Sequence, residues 1–353
     1  MVLGDVMGRH HLAAVIAAVT IAALAAQHAT QAQERPGAQT SDYKGKTLNV
    51  VVGYEPGGAY DHYARLVAAY LPKHLPGEPS AIVQNMPGAG SLRATNYVLS
   101  IAPKDGTVLG ILNSNLFLDK LTGRRSFDAD INEFNWIGRV GTVLNIGLVW
   151  HTAQAQSIAE MKRQEVVFGA AGPTGGGTTI PAALNNMLGT KIRVVTGYRS
   201  QAEIYLALEK GEVQGNATSV WEELRDGARA DWRRDKKVKI LFQLVGERDA
   251  DLPDVPALPE LAETEAHRQV LRLIAMPADI GRSFFAAPGV PPAQLAALRA
   301  GFDKMVADPA LLAEAKRRAV TINPWSGERL SAFLAGISQT PAEPIEMLKA
   351  ALQ

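Results

Sequence analysis

The sequence predicts an α/β protein of two lobes, each a mostly parallel sheet assembled from strand–helix–strand units. Three observations carry this reading. Short β-branched runs alternate with amphipathic helical stretches along most of the chain. The turns between them are short and rich in glycine and asparagine. The pattern also repeats, starting afresh near residue 145. At 353 residues the chain is longer than a single core usually serves.

The N-terminus comes first. Arg9, His10 and His11 form a short polar segment, and residues 12–26 are apolar apart from Thr20. That is the length of a secretory h-region and is short for a bilayer span. Thr30-Gln31-Ala32 offers the small side chains that a signal peptidase needs, which puts the cut after Ala32 and makes residues 1–32 a signal peptide. Asp5 departs from a purely basic n-region, and a retained membrane anchor is the alternative. With no twin-arginine pair and no cysteine to carry a lipid, a free periplasmic or extracellular protein is expected.

Composition then removes whole function classes. The formal net charge is +1, aromatic residues make up 6%, and the signal carries one Arg and one Asp, so its removal leaves the charge unchanged. Such a chain has no electrostatic footprint for nucleic acid or a membrane surface. Zero cysteines exclude disulfides, thiolate metal sites and cysteine nucleophiles. The seven histidines show no metal-ligand spacing, and no cofactor is implied.

In chain order, residues 33–46 are a polar lead-in. Strands are expected at 47–52, 81–83 and 107–112, with helices at 61–75 and 91–101, the latter capped by Ser91. The second half repeats this, with strands at 145–150, 166–170, 192–195, 213–217 and 237–245. Helices at 178–188 and 201–210 lie between them. A proline-rich stretch (Pro253, Pro256, Pro259) leads to a helix near 260–273, a strand near 284–287 and three closing helices. Two lobes follow: 47–145 completed by 282–353, and 146–281.

Glycine-rich turns join strand to helix three times, at Gly57-Gly58, at Gly88-Ala89-Gly90 and at Gly175-Gly176-Gly177. Glycine lets the backbone approach a ligand, and the next helix offers free N–H groups at its positive end. In open α/β sheets such turns lie at the carboxyl ends of the strands, where ligands bind. Convergent turns make a site for an anion held by main-chain donors. None of them has the dinucleotide, Walker or nucleophile-elbow pattern. Asp61 is expected to satisfy donors in the first turn of its helix, and His62 to face solvent, with a ligand contact as its alternative. The tyrosines at 60, 63 and 198 lie in or near candidate cleft turns, and no catalytic set can be assembled.

Several segments together resemble a known group. Tyr54-Glu55-Pro56-Gly57-Gly58-Ala59-Tyr60-Asp61-His62-Tyr63-Ala64-Arg65 is similar to the P-G-G-x-x-D-x-x-A-R motif of the Bug-type receptors. These are periplasmic solute-binding proteins of tripartite tricarboxylate transporters. Gln84-Asn85-Met86-Pro87-Gly88-Ala89-Gly90 resembles their N-x-P-G-A-G turn. Gly197-Tyr198-Arg199-Ser200 resembles their Y-[KR]-G segment, and Leu252-Pro253-Asp254-Val255-Pro256-Ala257-Leu258 their L-P-D-V-P-T box.

The resemblance implies a type II periplasmic binding-protein fold, with crossover strands between lobes that close on the ligand. It also implies that main-chain amides hold one carboxylate of a small organic acid. The matching positions are Gly57, Gly58, Ala59, Tyr60, Asp61, Gly88, Ala89, Gly90, Asn113, Ser114 and Asn115 in one lobe. In the other they are Thr174, Gly175, Gly176, Gly177, Thr178, Thr179 and Tyr198. Thr218 and Ser219 join them, standing where the family has Asp-Asn. Gln214 replaces a usual Asp, Ser200 a usual Gly, and 263–281 is longer and more helical than expected. These departures are expected on the side of the cleft that reads the far end of the ligand.

The function expected is a monomeric periplasmic receptor for a small mono- or dicarboxylate, delivering it to the permease subunits of such a transporter. An exported hydrolase using the same cleft and a ligand sensor for a signalling system are the alternatives.

Overall fold

The computed structural model describes residues 42–352 apart from Arg125, Ser126, Asp128, Thr174 and Ala319. The expected signal peptide, residues 33–41 of the lead-in and Thr174 therefore lie outside the described residues.

Two sheets organise the chain. Among the described residues the first has six strands, in the order β11 (Trp325–Ser326), β4 (Asn135–Arg139), β10 (Ser283–Ala286), β3 (Val108–Ile111), β1 (Thr47–Val52) and β2 (Ser80–Asn85). The second has five, in the order β7 (Ile192–Thr196), β6 (Val166–Ala170), β8 (Gly215–Val220), β5 (Asn145–Trp150) and β9 (Val238–Gln243). In the first sheet, β1 (Thr47–Val52) lies parallel to both β2 (Ser80–Asn85) and β3 (Val108–Ile111). In the second, β6 (Val166–Ala170) lies parallel to β7 (Ile192–Thr196) and β8 (Gly215–Val220). Each core of three parallel strands is extended by an antiparallel strand that has just arrived from the other sheet. After β4 (Asn135–Arg139) in the first sheet, the chain crosses to β5 (Asn145–Trp150), which pairs with β8 and β9 (Val238–Gln243). After β9 it returns to β10 (Ser283–Ala286), which pairs with β3 and β4. The short β11 (Trp325–Ser326) closes the edge of the first sheet.

The strand sequences account for this. Both faces of β1 are covered over its second half, so Val50, Val51 and Val52 are buried in succession. Leu48, Val50 and Val52 join one buried cluster with Leu66 and Val67 of the helix Ala59–Tyr70, while Val51 joins another. That helix buries Tyr63, Ala64, Leu66 and Val67, an apolar stripe at helical spacing. A further core unites elements of both sheets. Leu271 and Ile274 of the helix Glu265–Ile280 cluster with Phe117 of the helix Asn115–Leu121 and with Leu184 of the helix Gly176–Leu188. An aromatic group of Phe117, Phe134, Trp136 and Phe285 fills the first-sheet side, with ring centroids 5.0–5.9 Å apart.

Several expected elements differ. The helix expected near 260–273 runs Glu265–Ile280, because Thr264 caps it by accepting from His267 N–H at 3.2 Å, and Pro277 is accommodated near its C-terminal end. The strand expected at 213–217 is β8, shifted to Gly215–Val220. Four helices close the chain after β10, not three: Pro292–Val306, Pro309–Arg317, Gly327–Ser338 and Ala342–Ala351. The strand β4 carries no β-branched run in its Asn-Trp-Ile-Gly-Arg sequence and was not expected.

Phe285 is fully buried between β3, β4 and the aromatic group. Phe285→Ala is expected to cost about 3–5 kcal/mol, read as a lowered midpoint in urea unfolding followed by circular dichroism.

Candidate functional site

The turns after β1, β2 and β3 meet at the carboxyl ends of those strands, and two buried side chains hold them together. The first is Asp61. Its Oδ2 accepts from Gly57 N–H at 2.9 Å and from Arg65 Nε at 2.8 Å, and its Oδ1 accepts from Asn85 Nδ2 at 3.0 Å. Asn85 Nδ2 also donates to the Tyr54 carbonyl at 2.9 Å. One carboxylate thus ties the glycine turn at 57–58, its own helix and the end of β2 into a unit. Burial opposes its charge, but the bonds from Arg65, Gly57 and Asn85 win and hold its pKa at about 2. With its known partners this carboxylate positions the turn.

The second is Ser91, which is fully buried. It was expected to cap a helix. Instead its φ is 82°, and its Oγ accepts from Asn113 N–H at 3.2 Å, linking the turn at 88–91 to the turn after β3. Gly53, at the end of β1, sits so close that a Cβ there would collide with Ser91 Oγ. Gly88, Ala89, Gly90 and Ser91 all have positive φ, so the main chain curls into a tight concave turn. Asn113 Oδ1 accepts from Asn115 N–H at 3.0 Å, fixing the third turn, and Ser114 is buried beneath it.

The second sheet repeats the arrangement. Thr178 Oγ1 donates to the Gly172 carbonyl at 2.6 Å and Thr179 Oγ1 to the Gly175 carbonyl at 3.0 Å. Their protons shape the turn, while their lone pairs stay available. Thr218 of β8 lies against this turn, 2.9 Å from where a Cβ on Gly176 would be. Tyr198, after β7, is half-buried beside Gly169. Ser219 is buried and donates to Asn216 Oδ1 at 2.9 Å. That oxygen also accepts from Gln201 Nε2 at 3.0 Å and Thr218 N–H at 3.1 Å, and Asn216 Nδ2 donates to the Gly169 carbonyl at 3.0 Å. Asn216, missed in the sequence because a lone Asn in a strand gives no pattern, is to this group what Asp61 is to the first.

Glu222, just after β8, reaches the first group by accepting from Thr321 Oγ1 at 3.1 Å; the Thr321 carbonyl accepts from Tyr63 O–H at 2.9 Å. Burial pushes the Tyr63 phenol up to about 12. His62 is exposed, as expected.

Two departures from the family pattern have local explanations. Ser200 caps the helix Gln201–Lys210 by accepting from Glu203 N–H at 3.3 Å, while Glu203 accepts from Arg199 N–H at 2.8 Å. Gln214 Oε1 accepts from Val167 N–H at 3.0 Å, near the amino end of β6. It therefore lies away from the turns, which corrects its expected place beside the far end of the ligand.

A cavity of about 520 Å³ opens elsewhere, lined by Leu273, Asp279, Trp325, Phe333 and Ile337 among others. No residue of the glycine turns borders it. Burial pushes the Asp279 carboxyl up to about 7 against the pull of nearby Arg139. Among the described residues no group of three His, Asp or Glu side chains is placed to hold a metal ion.

Asp61→Asn puts an amide N–H₂ where every neighbour is a donor. The folded pKa lies below the ordinary 3.8, so the carboxylate's contribution is full above about pH 4 and is lost as pH falls through 2. The variant is expected to lose about 2 kcal/mol at pH 7. In urea unfolding at a series of pH values, its deficit should shrink below pH 4.

Solved structures at low identity share the fold of this chain. A TctC solute-binding protein from Polaromonas, without ligand, matches with a TM-score of 0.67 at 21% identity, over 88% of this chain and 98% of that one. Rpa4515 of R. palustris with adipate matches with a TM-score of 0.51 at 19% identity, over 88% and 98%. MatC of Rhodopseudomonas palustris with bound malate matches with a TM-score of 0.50 at 19% identity, over 87% and 99%. Curated protein sequences yield no match. Residues 63–333 match the family described as the tripartite tricarboxylate transporter family receptor. With that match spanning most of the chain, the protein belongs to the receptor family of the tripartite tricarboxylate transporters and is one of its solute-binding receptors.

Proposed function

We propose that the protein captures a small mono- or dicarboxylate between the two groups of turns and delivers it to membrane permease subunits. The observation that carries this is the duplication of the site. In each sheet, glycine turns and helix N-termini gather at the carboxyl ends of parallel strands, held by a buried polar hub, Asp61 in one and Asn216 in the other. Such a surface presents main-chain donors and the positive ends of helices, which favours an anion. That related folds hold adipate and malate supports the choice of carboxylate.

In this reading the lobes are 47–145 with 282–353, and 146–281. The ligand contacts are Gly57 to Tyr60, Gly88 to Gly90 and Asn113 to Asn115 on one side, while Asp61, expected among them, is buried and acts by holding the first turn. Gly175 to Thr179, Tyr198 and Thr218 are the contacts on the other, with Ser219 buried behind them. Export by a signal cleaved after Ala32 places a monomer in the periplasm, where it binds and releases its ligand without chemical change.

A thermal-shift screen against organic acids tests this directly. A ligand present at a hundred times its dissociation constant adds about 2.7 kcal/mol of stability. A raised melting temperature with a carboxylate is expected; no shift with any of them would sink the reading. Thr178→Val removes a hydroxyl from the turn, and calorimetry is expected to show binding weakened by about 1.5–3 kcal/mol.

A further inference from the structure

Arg282 stands where the chain returns from the second sheet to the first, one residue before β10. Its main chain is held on both sides: its N–H donates to the Gly141 carbonyl at 2.8 Å, and its carbonyl accepts from Val140 N–H at 3.0 Å. The two crossing segments run in contact, so that a Cβ on Gly281 would stand 3.0 Å from Thr142 Cα. The guanidinium lies 3.9 Å from the centre of the Tyr60 ring and 5.9 Å from that of Tyr63. Tyr54 stacks on Tyr60 at 4.6 Å. The side chain is thus aimed at Tyr60, in the first turn of the helix that follows the glycine turn.

What this guanidinium lacks is an acceptor. Its Nε is buried without a hydrogen-bond partner, and among the described residues it forms no ion pair. Thr142 Oγ1, on the other crossing segment, is also buried and unpartnered. Arg139, Arg225 and Arg248, by contrast, each donate to several oxygens. A buried donor left unpaired bears its whole desolvation cost, so the arrangement is completed by an acceptor from outside the chain. The rings hold the charge over their faces, and the guanidinium donates to no oxygen among the described residues. A planar anion with two oxygens, a carboxylate, fits that fork.

We propose that Arg282, with Thr142 beside it, forms an anion subsite on the crossing segments that takes the second acidic group of a dicarboxylate. This rests on the carboxylate reading above and narrows it: the receptor selects diacids over monoacids.

The test is calorimetry on the purified protein with a series of four- to six-carbon dicarboxylates and the half-amide of each. Wild type is expected to prefer the diacid by at least about tenfold. Arg282→Gln is expected to lose about 10–100-fold on the diacid and less than about threefold on the half-amide; Arg282→Lys, which keeps the charge without the fork, recovers part. A merely structural role would lower the melting temperature of the ligand-free protein and leave the diacid to half-amide ratio unchanged. An unchanged ratio in Arg282→Gln overturns the inference while the carboxylate reading stands. If wild type binds no carboxylate, that reading fails and the Arg282 Nε–H signal in nitrogen-15 spectra decides the subsite. Its movement on titration with malonate or sulfate supports an anion site, and its invariance overturns it. Should Arg282→Gln fail to fold, the Arg282→Lys ratio and the same signal decide.

Discussion

The hydrogen bonds between the two crossing segments set the frame for everything else. Val140 N–H to the Arg282 carbonyl and Arg282 N–H to the Gly141 carbonyl join the outgoing strand to the returning one. Because β5 and β10 each continue from a crossing, the segments that connect the sheets are also part of their ladders. The few residues between Arg139 and Asn145 and around Gly281 are thus bonded to one another and continuous with the ladders on either side. The same geometry puts Arg282 beside the glycine turn of the first sheet. Fold and site meet at one residue pair.

Each group of turns then depends on a buried polar side chain with more partners than it could find in a loop alone. Asp61 joins three segments through one carboxylate, and Asn216 joins β6, β8 and the helix Gln201–Lys210 through one amide. Chemically the two differ for a reason. Asp61 faces donors only, among them a guanidinium, so a charged acceptor is favoured. Asn216 must give a proton to the Gly169 carbonyl as well as receive three, which a carboxylate cannot do. The hubs spare the glycine turns themselves from having to supply the bonds that order them.

How much of this was legible in the sequence follows from what leaves a periodic trace. The strands β1, β5 and β6 fall where their β-branched and apolar runs are fenced by polar or glycine residues. Pro277 obscured the end of the longest helix, because proline reads as a stop, yet here the helix gives up one i→i−4 bond and continues to Ile280. The glycine turns were visible as composition. Their mutual arrangement was not: Ser91 reads as a cap, and only the fold reveals that its hydroxyl serves Asn113 at another strand end. Arg282 and Thr142 carry no spacing signal at all, since their meaning arises from two segments about 140 residues apart coming into contact.

A receptor has to let its ligand go, and the character of the groups around these turns bears on that. A fully buried ion pair between ligand and receptor binds tightly but leaves an uncompensated charge behind when the ligand departs. Main-chain donors and helix ends carry only fractions of a charge, so an empty cleft lined by them is rehydrated at modest cost. A guanidinium stacked on Tyr60 is intermediate. The ring faces keep it partly compensated whether or not an anion is present, and the side chain, being half-buried, stays within reach of water. In the proposed site, discrimination comes from one cation while most of the affinity comes from dipoles, a division that keeps release easy.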